Sequence, residues 1–78
     1  MTPEERFASN LKALRTQRGW SQVDLSRNSG LHTTAISKME RADRAPRFST
    51  VVVLAEALRV PAGDLFDGIP DPSRLKKT

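Results

Sequence analysis

The chain has 78 residues with one histidine and no cysteine, and its 13 Lys and Arg residues against 9 Asp and Glu residues give a net charge of +4. This length is enough for one small domain. Without cysteine the chain can form no disulfide and no cysteine-based zinc site, and with one histidine it can form no metal site built from several histidines. We therefore expect no metal and no cofactor. The basic excess is concentrated in residues 12–47, with a net charge of +5, whereas residues 48–73 carry −3. This distribution suggests one face that attracts an anion.

The first predicted helix begins at Pro3, because Thr2 can cap it, proline suits the first helical position and Glu5 completes a capping box. An apolar stripe at helical spacing follows. Gly19 is expected to end the helix in the left-handed conformation that glycine tolerates best. The residues expected in the core of the domain are Phe7, Leu11, Leu14, Trp20, Leu25 and Leu54.

Two short helices separated by a turn are predicted next. Ser21 begins the second helix, with Asp24 as its acidic capping partner, and the turn residues at 28–30 end it. The third helix opens at residues 32–34 and is expected to end near residues 41–42. Its inward side chains are predicted to be Ala35, Ile36 and Met39.

The remainder of the chain is predicted to form one more helix, a helical turn and a tail. Pro46 disfavours helix in the residue before it, so a loop precedes a fourth helix at about residues 48–58. A last helical turn covers residues 62–66. These elements predict an all-α domain at residues 1–66, followed by a C-terminal tail at residues 67–78.

The stretch from Gln22 to Arg41 has the pattern of two short helices that cross steeply at a tight turn containing Gly30. Small or apolar side chains stand where the two helices must touch, which is typical of a helix-turn-helix. In this motif the first helix braces the second, so that the second projects from the protein. A helix about 10–12 Å across fits the major groove of DNA, and the pattern therefore predicts DNA binding.

The chain resembles the Cro/repressor-type (Xre-like) helix-turn-helix family over about residues 7–66. Three residues depart from the family pattern. Ser26 replaces an alanine, and His32 replaces the usual Ser or Thr cap. Ala42 replaces a frequent glycine, so we expect a slightly longer third helix. The resemblance implies a five-helix domain with the helix-turn-helix at helices 2–3. It rests on Leu11, Leu14, Arg15, residues 18–22, Leu25, Gly30, Leu31, residues 35–41, Pro46, residues 54–58, Val60 and residues 64–66.

The resemblance also implies which residues contact the bases. Thr33, Thr34 and Lys38 occupy positions similar to those that contact base edges, with Ser37 next in line. Threonine can bond a base edge or touch a thymine methyl group, and lysine favours guanine O6 and N7. Two successive threonines are also good capping residues, and a solvated lysine is the alternative interpretation of Lys38, but base contact is favoured for all three. Gln22 is similar to a glutamine that bonds a phosphate and orients the third helix.

Contacts with the DNA backbone are expected on both sides of the third helix. A helix N-terminus favours phosphate, so His32 could contact one, although a plain surface histidine is an equal alternative. The resemblance implies backbone or minor-groove contacts for the loop after the third helix, where Arg47 is a better candidate than Arg44. The full set of expected backbone contacts is Ser21, Gln22, His32, Arg44, Arg47 and Phe48.

The resemblance implies an ion pair between Arg15 and Glu40, because similar family members pair an arginine of the first helix with a glutamate late in the third. Its role would be structural, holding the third helix against the first. Breaking a buried pair costs about 3–5 kcal/mol, whereas an exposed pair contributes about 0–1 kcal/mol. Burial therefore decides how much the pair matters.

The leading hypothesis is a sequence-specific transcriptional regulator that binds double-stranded DNA as a homodimer. Two copies would contact a palindromic operator whose half-sites lie about 34 Å apart. Leu65, Phe66 and Ile69 are candidate dimer contacts, because a small domain has few places to bury them. With 78 residues we expect no sensor domain and no small-molecule ligand. A single helix-turn-helix domain of this length resembles restriction–modification controller proteins and small phage or plasmid repressors. The sequence does not distinguish between these classes.

Two other classes of function compete with this hypothesis. One is an antitoxin-like or other protein-interaction module in which DNA binding is secondary. The other is an enzyme, which we do not expect, because the single histidine has no orienting acid at a recognisable spacing. No apolar run approaches the roughly 20 residues of a membrane span. The first five residues carry no secretory pattern, so the cytoplasm is the expected compartment.

Overall fold

The computed structural model describes residues 1–69, which form four α-helices and a final 3₁₀ helix. The elements are α1 (Pro3–Gln17), α2 (Gln22–Ser29), α3 (Thr33–Glu40), α4 (Phe48–Leu58) and the 3₁₀ helix Ala62–Phe66. These residues contain no strand, which confirms the all-α class, although the fifth predicted helix is a 3₁₀ helix. None of their helices has the length and apolar character needed to cross a membrane. Most of the predicted tail, from residue 70 onward, lies outside the described residues.

Capping boxes set the starts of α1 and α2. The Thr2 hydroxyl accepts a hydrogen bond from the N–H of Glu5 at 3.1 Å, and the Glu5 carboxylate accepts one from the N–H of Thr2 at 2.8 Å. Ser21 and Asp24 form the same reciprocal pair, at 3.0 and 2.9 Å. Each box satisfies two backbone groups that a helix terminus would otherwise leave unpaired, and both were predicted from the sequence.

The ends of α1, α3 and α4 share one hydrogen-bonding pattern. A left-handed residue donates its N–H to the carbonyl three residues earlier, and the next residue donates to the carbonyl five residues earlier. The left-handed residues are Gly19 (φ 73°), Ala42 (φ 62°) and Arg59 (φ 58°). The expectation that Ala42 would lengthen the third helix is therefore wrong, because alanine adopts the glycine conformation here and α3 ends at Glu40.

The core lies between α1, α3, α4 and the 3₁₀ helix, with α2 packed against α3 and α4. Of the expected core residues, Leu14 and Trp20 are only partly buried at its edge. The buried apolar side chains are Phe7, Ala8, Leu11, Leu25, Ile36, Met39, Val51, Leu54, Ala55, Leu58 and Leu65. This core supports α3 from behind and leaves its first two residues exposed.

The 3₁₀ helix is an integral part of the domain. Leu65 is fully buried in the core, and the side-chain amide of Asn10 donates to the carbonyls of Leu65 at 3.0 Å and Asp67 at 2.8 Å. Leu65 is therefore wrong as a candidate dimer contact, because the core of its own chain already covers it. Phe66 remains 43% exposed, and Ile69 packs partly buried against the core.

Candidate nucleic-acid interface

The corner between α2 and α3 is held by short-range hydrogen bonds. Gly30 ends α2 at φ 78°, a conformation that glycine adopts without strain. The hydroxyl of Ser26 donates to the carbonyl of Leu31 at 2.5 Å, and the N–H of Leu31 donates to the hydroxyl of Ser29 at 3.1 Å. Ser26, the residue that replaces the family's alanine, thus finds its partner inside the corner and fixes the angle between the two helices.

A buried ion pair joins α1 to α3. Arg15 Nε lies 2.7 Å from Glu40 Oε2, and Arg15 Nη2 lies 2.9 Å from Glu40 Oε1. The arginine also donates from Nη1 to the carbonyl of Trp20 at 2.8 Å. The two side chains are only 10% and 4% exposed. The hydrogen bonding of Arg15 to the Glu40 carboxylate raises the pKa of the guanidinium above its ordinary value, so Arg15 stays charged at any ordinary pH.

Gln22 extends this buried pair to the surface. Its Nε2 donates to Glu40 Oε1 at 3.0 Å, so one carboxylate receives hydrogen bonds from α1 and from the first residue of α2. A side-chain amide carries two N–H groups, and the bond to Glu40 uses one of them. Gln22 is therefore oriented by the ion pair while it retains a donor for an external acceptor.

An exposed concavity of about 330 Å³ lies along one side of α3. It brings together three of the four residues expected to contact bases, and Lys38 is not among its lining residues. Thr33 and Thr34 are the first two residues of α3, while His32 occupies the capping position. The threonines therefore do not cap the helix, and their side chains are exposed. The concavity is lined by Gln22, Thr33, Thr34, Ser37 and Arg41.

Arg41 lines the concavity, although no role was predicted for it from the sequence. Its Nη1 donates to the Ser37 hydroxyl at 2.6 Å, and its Nε lies 3.0 Å from Asp43 Oδ2. The spacing of Thr33, Ser37 and Arg41, four residues apart, was the available signal, because residues at that spacing share one face of a helix. The left-handed turn at Ala42 then brings Asp43 back beside the arginine.

The start of α2 and the start of α3 are both exposed, with different capping. Hydrogen bonds from the Ser21 backbone and side chain lower the pKa of Asp24 below its ordinary value, so the box stays ionised at neutral pH. Within this box the Ser21 hydroxyl accepts a hydrogen bond from the N–H of Asp24 at 3.0 Å. The His32 side chain makes no capping hydrogen bond. Ser21 and His32 therefore each present a polar group beside the concavity residues of α2 and α3.

The three predicted backbone contacts that follow α3, namely Arg44, Arg47 and Phe48, lie on two different surfaces. Arg44 and Arg47 line a second cavity of about 490 Å³, on the face of α3 that carries Ala35 and Met39. Both arginines are exposed. Phe48 does not line this cavity, and its benzyl group can donate no hydrogen bond. The structure thus gives α3 two basic neighbours on one flank and assigns Phe48 to a different surface.

That different surface is an apolar groove of about 350 Å³. The Phe48 side chain is 84% exposed and the Phe66 side chain 43% exposed, which is unusual for phenylalanine in a monomer. The Phe66 ring also lies 6.1 Å from the ring of Phe7, measured between centroids. The groove, defined by these residues and their neighbours, is lined by Pro3, Glu4, Phe7, Ala45, Pro46, Phe48, Val51, Phe66 and Ile69.

Sequence comparison identifies a family and several relatives. The sequence model of the family described as helix-turn-helix (HTH_3) matches residues 11–65. The chain is 38% identical over 70 residues to a hypothetical transcription factor of Neisseria meningitidis serogroup B, covering 90% of this chain and 64% of that protein. It is 40% identical over 58 residues to control protein C.SmaI of Serratia marcescens, covering 74% and 69%. The chain thus spans less than two thirds of the Neisseria relative.

Solved structures of related proteins show the same similarity. The restriction-modification controller protein C.AhdI from Aeromonas hydrophila superposes with a TM-score of 0.78 at 33% identity, covering 81% of this chain and 96% of that one. The controller protein C.Esp1396I, solved as a tetramer in complex with its natural 35 base-pair operator, superposes with a TM-score of 0.78 at 25% identity. That match covers 86% of this chain and 88% of the other.

Proposed function

This chain belongs to the helix-turn-helix family of transcriptional regulators, and we propose that it binds a DNA operator as a homodimer, with α3 of each copy in the major groove. The family consists of DNA-binding regulators and controllers, so the chain is not an enzyme. Its DNA target also supports the cytoplasm as the compartment. The likeness to C.SmaI and C.AhdI favours a controller protein among the alternatives left open by the sequence.

The observation that carries the proposal is the concavity on α3. Hydroxyl and amide groups line it, and such groups can donate to base edges and accept from them. Behind them, the buried Arg15–Glu40 pair holds α3 against α1. A helix that is rigidly supported from behind and polar in front can contact base edges at a low entropic cost.

Thr33, Thr34 and Ser37 are proposed to contact bases. Lys38 lies outside the concavity but follows Thr34 by one helical turn, so its longer side chain can reach the adjacent base pair. Neither threonine is needed as a helix cap, because the capping position belongs to His32. This observation favours DNA contact as the role of the two hydroxyls.

The phosphate contacts are proposed on both flanks of α3. Gln22 has one amide N–H left after its bond to Glu40, and Ser21 and His32 stand at exposed helix starts. On the other flank, Arg44 and Arg47 supply positive charge beside the second cavity. Together these residues would hold the protein on the DNA backbone and fix the register of the base contacts.

The homodimer is proposed to form through the apolar groove. Phe66 and Ile69 remain candidate contacts, and Phe48 joins them in place of Leu65, because its side chain is almost fully exposed. A second copy is the favoured occupant, because a two-fold arrangement places two copies of α3 on one palindromic operator. The operator-bound tetramer of C.Esp1396I is consistent with assembly of such domains on DNA.

Fluorescence anisotropy with duplex DNA at several salt concentrations tests the DNA-binding proposal. The logarithm of the affinity should fall steeply and linearly with the logarithm of the salt concentration, because phosphate contacts release counterions. Selection from a random duplex pool should then return a palindrome. The antitoxin-like alternative predicts weak binding and no selected sequence.

A matched pair of variants links the binding to α3. Thr33→Val removes a hydroxyl from the concavity, whereas Thr16→Val removes one that bonds to carbonyls within α1. The first should lower the affinity for the selected operator several-fold, and the second should leave it unchanged. Equal effects of the two variants, or binding that does not depend on salt, would contradict the proposal.

A further inference from the structure

We propose that Arg41 is a further specificity-determining residue, oriented by Ser37 and Asp43 to contact a guanine in the major groove. The inference rests on the proposed function and adds to it one residue and one base. It concerns the residue that directly follows α3, three residues beyond Lys38, the last of the expected base contacts.

Arg41 lies where it can extend the set of proposed base contacts. Arg41 follows the last residue of α3 and lines the same concavity as Thr33, Thr34 and Ser37. Eight residues separate it from Thr33, which corresponds to about 12 Å along a helix, or three to four base-pair steps of DNA. An arginine at that distance would contact the next bases in the groove, beyond those within reach of the threonines.

The guanidinium group of Arg41 is held by two neighbouring side chains. Nε lies 3.0 Å from Asp43 Oδ2, and Nη1 donates to the Ser37 hydroxyl at 2.6 Å. A guanidinium carries five N–H groups, so three remain, one on Nη1 and two on Nη2. Among residues 1–69, Nη2 makes no hydrogen bond. Two adjacent amino groups fixed in direction match the O6 and N7 acceptors of guanine.

The charge around Arg41 favours a base over a phosphate as its partner. The carboxylate of Asp43 largely cancels the charge of Arg41 and would repel a phosphate at the same place. A guanine edge is neutral, so its binding energy is not reduced when the charge of Arg41 is cancelled. Its affinity increases when the direction of the side chain is already fixed, because less entropy is lost on binding. By contrast, Arg44 and Arg47 form no ion pair within the described residues and are better suited to phosphate.

The exposure of the pair makes it accessible to mutation. The side chains of Arg41 and Asp43 are 58% and 57% exposed, and an exposed pair contributes little to stability. Variants at either residue are therefore expected to fold. Any change in their DNA binding then reports on recognition and not on loss of structure.

The test is selection from a random duplex pool followed by anisotropy with the selected operator and its single-base variants. The wild-type chain should prefer guanine at one position of each half-site. Arg41→Ala should lower that preference about 5- to 150-fold, the range for one bidentate contact, and leave the other positions unchanged. Arg41→Lys keeps the charge but loses the planar pair of donors, so it should lower the same preference by less than Arg41→Ala does, with an unchanged salt dependence.

Asp43→Asn and Arg27→Ala complete the experiment. Asp43→Asn frees the charge of Arg41, so it should strengthen binding to random DNA and weaken the guanine preference. Arg27 is an exposed arginine at the end of α2 that does not line the concavity, and Arg27→Ala should change no base preference.

Two results would overturn the inference while leaving the proposed function intact. In one, Arg41→Ala weakens all sequences alike and reduces the salt slope by about one, as loss of a phosphate contact would. In the other, Arg41→Ala leaves the selected operator unchanged. A wild-type chain that selects no sequence would instead contradict the proposed function itself.

Discussion

At the scale of single residues, Ala42 is the clearest case of backbone strain. It has φ 62° and closes the end of α3 with the same hydrogen bonds that Gly19 makes after α1. For a residue with a Cβ this conformation costs roughly 1–2 kcal/mol relative to the right-handed region. The turn brings Asp43 back beside Arg41 and leads the chain toward α4.

Ala42→Gly should therefore stabilise the domain. Relief of the strain raises the free energy of unfolding, and the larger conformational entropy that glycine loses on folding offsets part of this increase. The net increase should be about 0.5–1 kcal/mol. Ala13→Gly is the matched control, since this exposed alanine lies inside α1 and glycine there should cost about 0.5–1 kcal/mol. Urea denaturation followed by circular dichroism measures both changes. A loss of stability in both variants would show that the left-handed turn carries no strain.

At the scale of the elements, the buried pair of Arg15 and Glu40 determines how α3 is held. It joins α1 to α3, and through Gln22 and the Trp20 carbonyl it also fixes the start of α2. Removing one partner leaves an unpaired charge in a site where both side chains are almost inaccessible to water. The orientation of the proposed DNA-contacting helix thus depends on one ion pair.

A double-mutant cycle measures this dependence. Arg15→Met and Glu40→Leu should each lower the free energy of unfolding by about 3–5 kcal/mol, while the double variant should lose much less than the sum. The exposed pair serves as a control, because Arg41→Ala should change the free energy of unfolding by only about 0–1 kcal/mol. Strictly additive losses at Arg15 and Glu40 would mean that the two side chains do not stabilise each other.

The helices could be predicted from the sequence because their boundaries are set locally. Thr2 with Glu5, and Ser21 with Asp24, form capping boxes within four residues, and Pro46 keeps the loop before α4 out of a helix. The burial of Leu65 could not be predicted, since it depends on residues of α1 and α4 that are distant in the chain. The orientation of Arg41 was missed for a related reason, because it depends on an alanine in a conformation that alanine rarely adopts.

At the scale of the whole molecule, the concavity and the apolar groove are separate surfaces. The lining residues of the concavity come from α2, α3 and Arg41, whereas those of the groove come from both ends of the described chain, from the loop before α4 and from the start of α4. The two sets share no residue. DNA binding and dimer formation are therefore expected to be separable by mutation.

Phe48→Ser tests the groove as the dimer contact. Burial of a phenylalanine side chain contributes about 1.5–3 kcal/mol, and a two-fold interface contains the residue twice, so the dimer dissociation constant should rise at least about tenfold. Phe48 is chosen over Phe66 because the Phe66 ring packs near Phe7 and its removal would disturb the core.

Sedimentation equilibrium measures the effect, with Val23→Ser as the control. Val23 is 50% exposed on α2 and does not line the groove, so its replacement should leave the association unchanged. An unchanged dissociation constant in Phe48→Ser would exclude the groove as the interface and leave the separate DNA surface unaffected.

The continuity of α1 has a consequence for the operator. Arg15, near one end of this helix, fixes α3, while Asn10, five residues earlier, fixes the 3₁₀ helix beside the groove. In a dimer joined at the groove, the separation of the two α3 helices is therefore set by a single helix. One base pair inserted between the half-sites moves one of them by about 3.4 Å and rotates it by about 34–36°. The spacing of the half-sites is thus constrained as strictly as the bases within them.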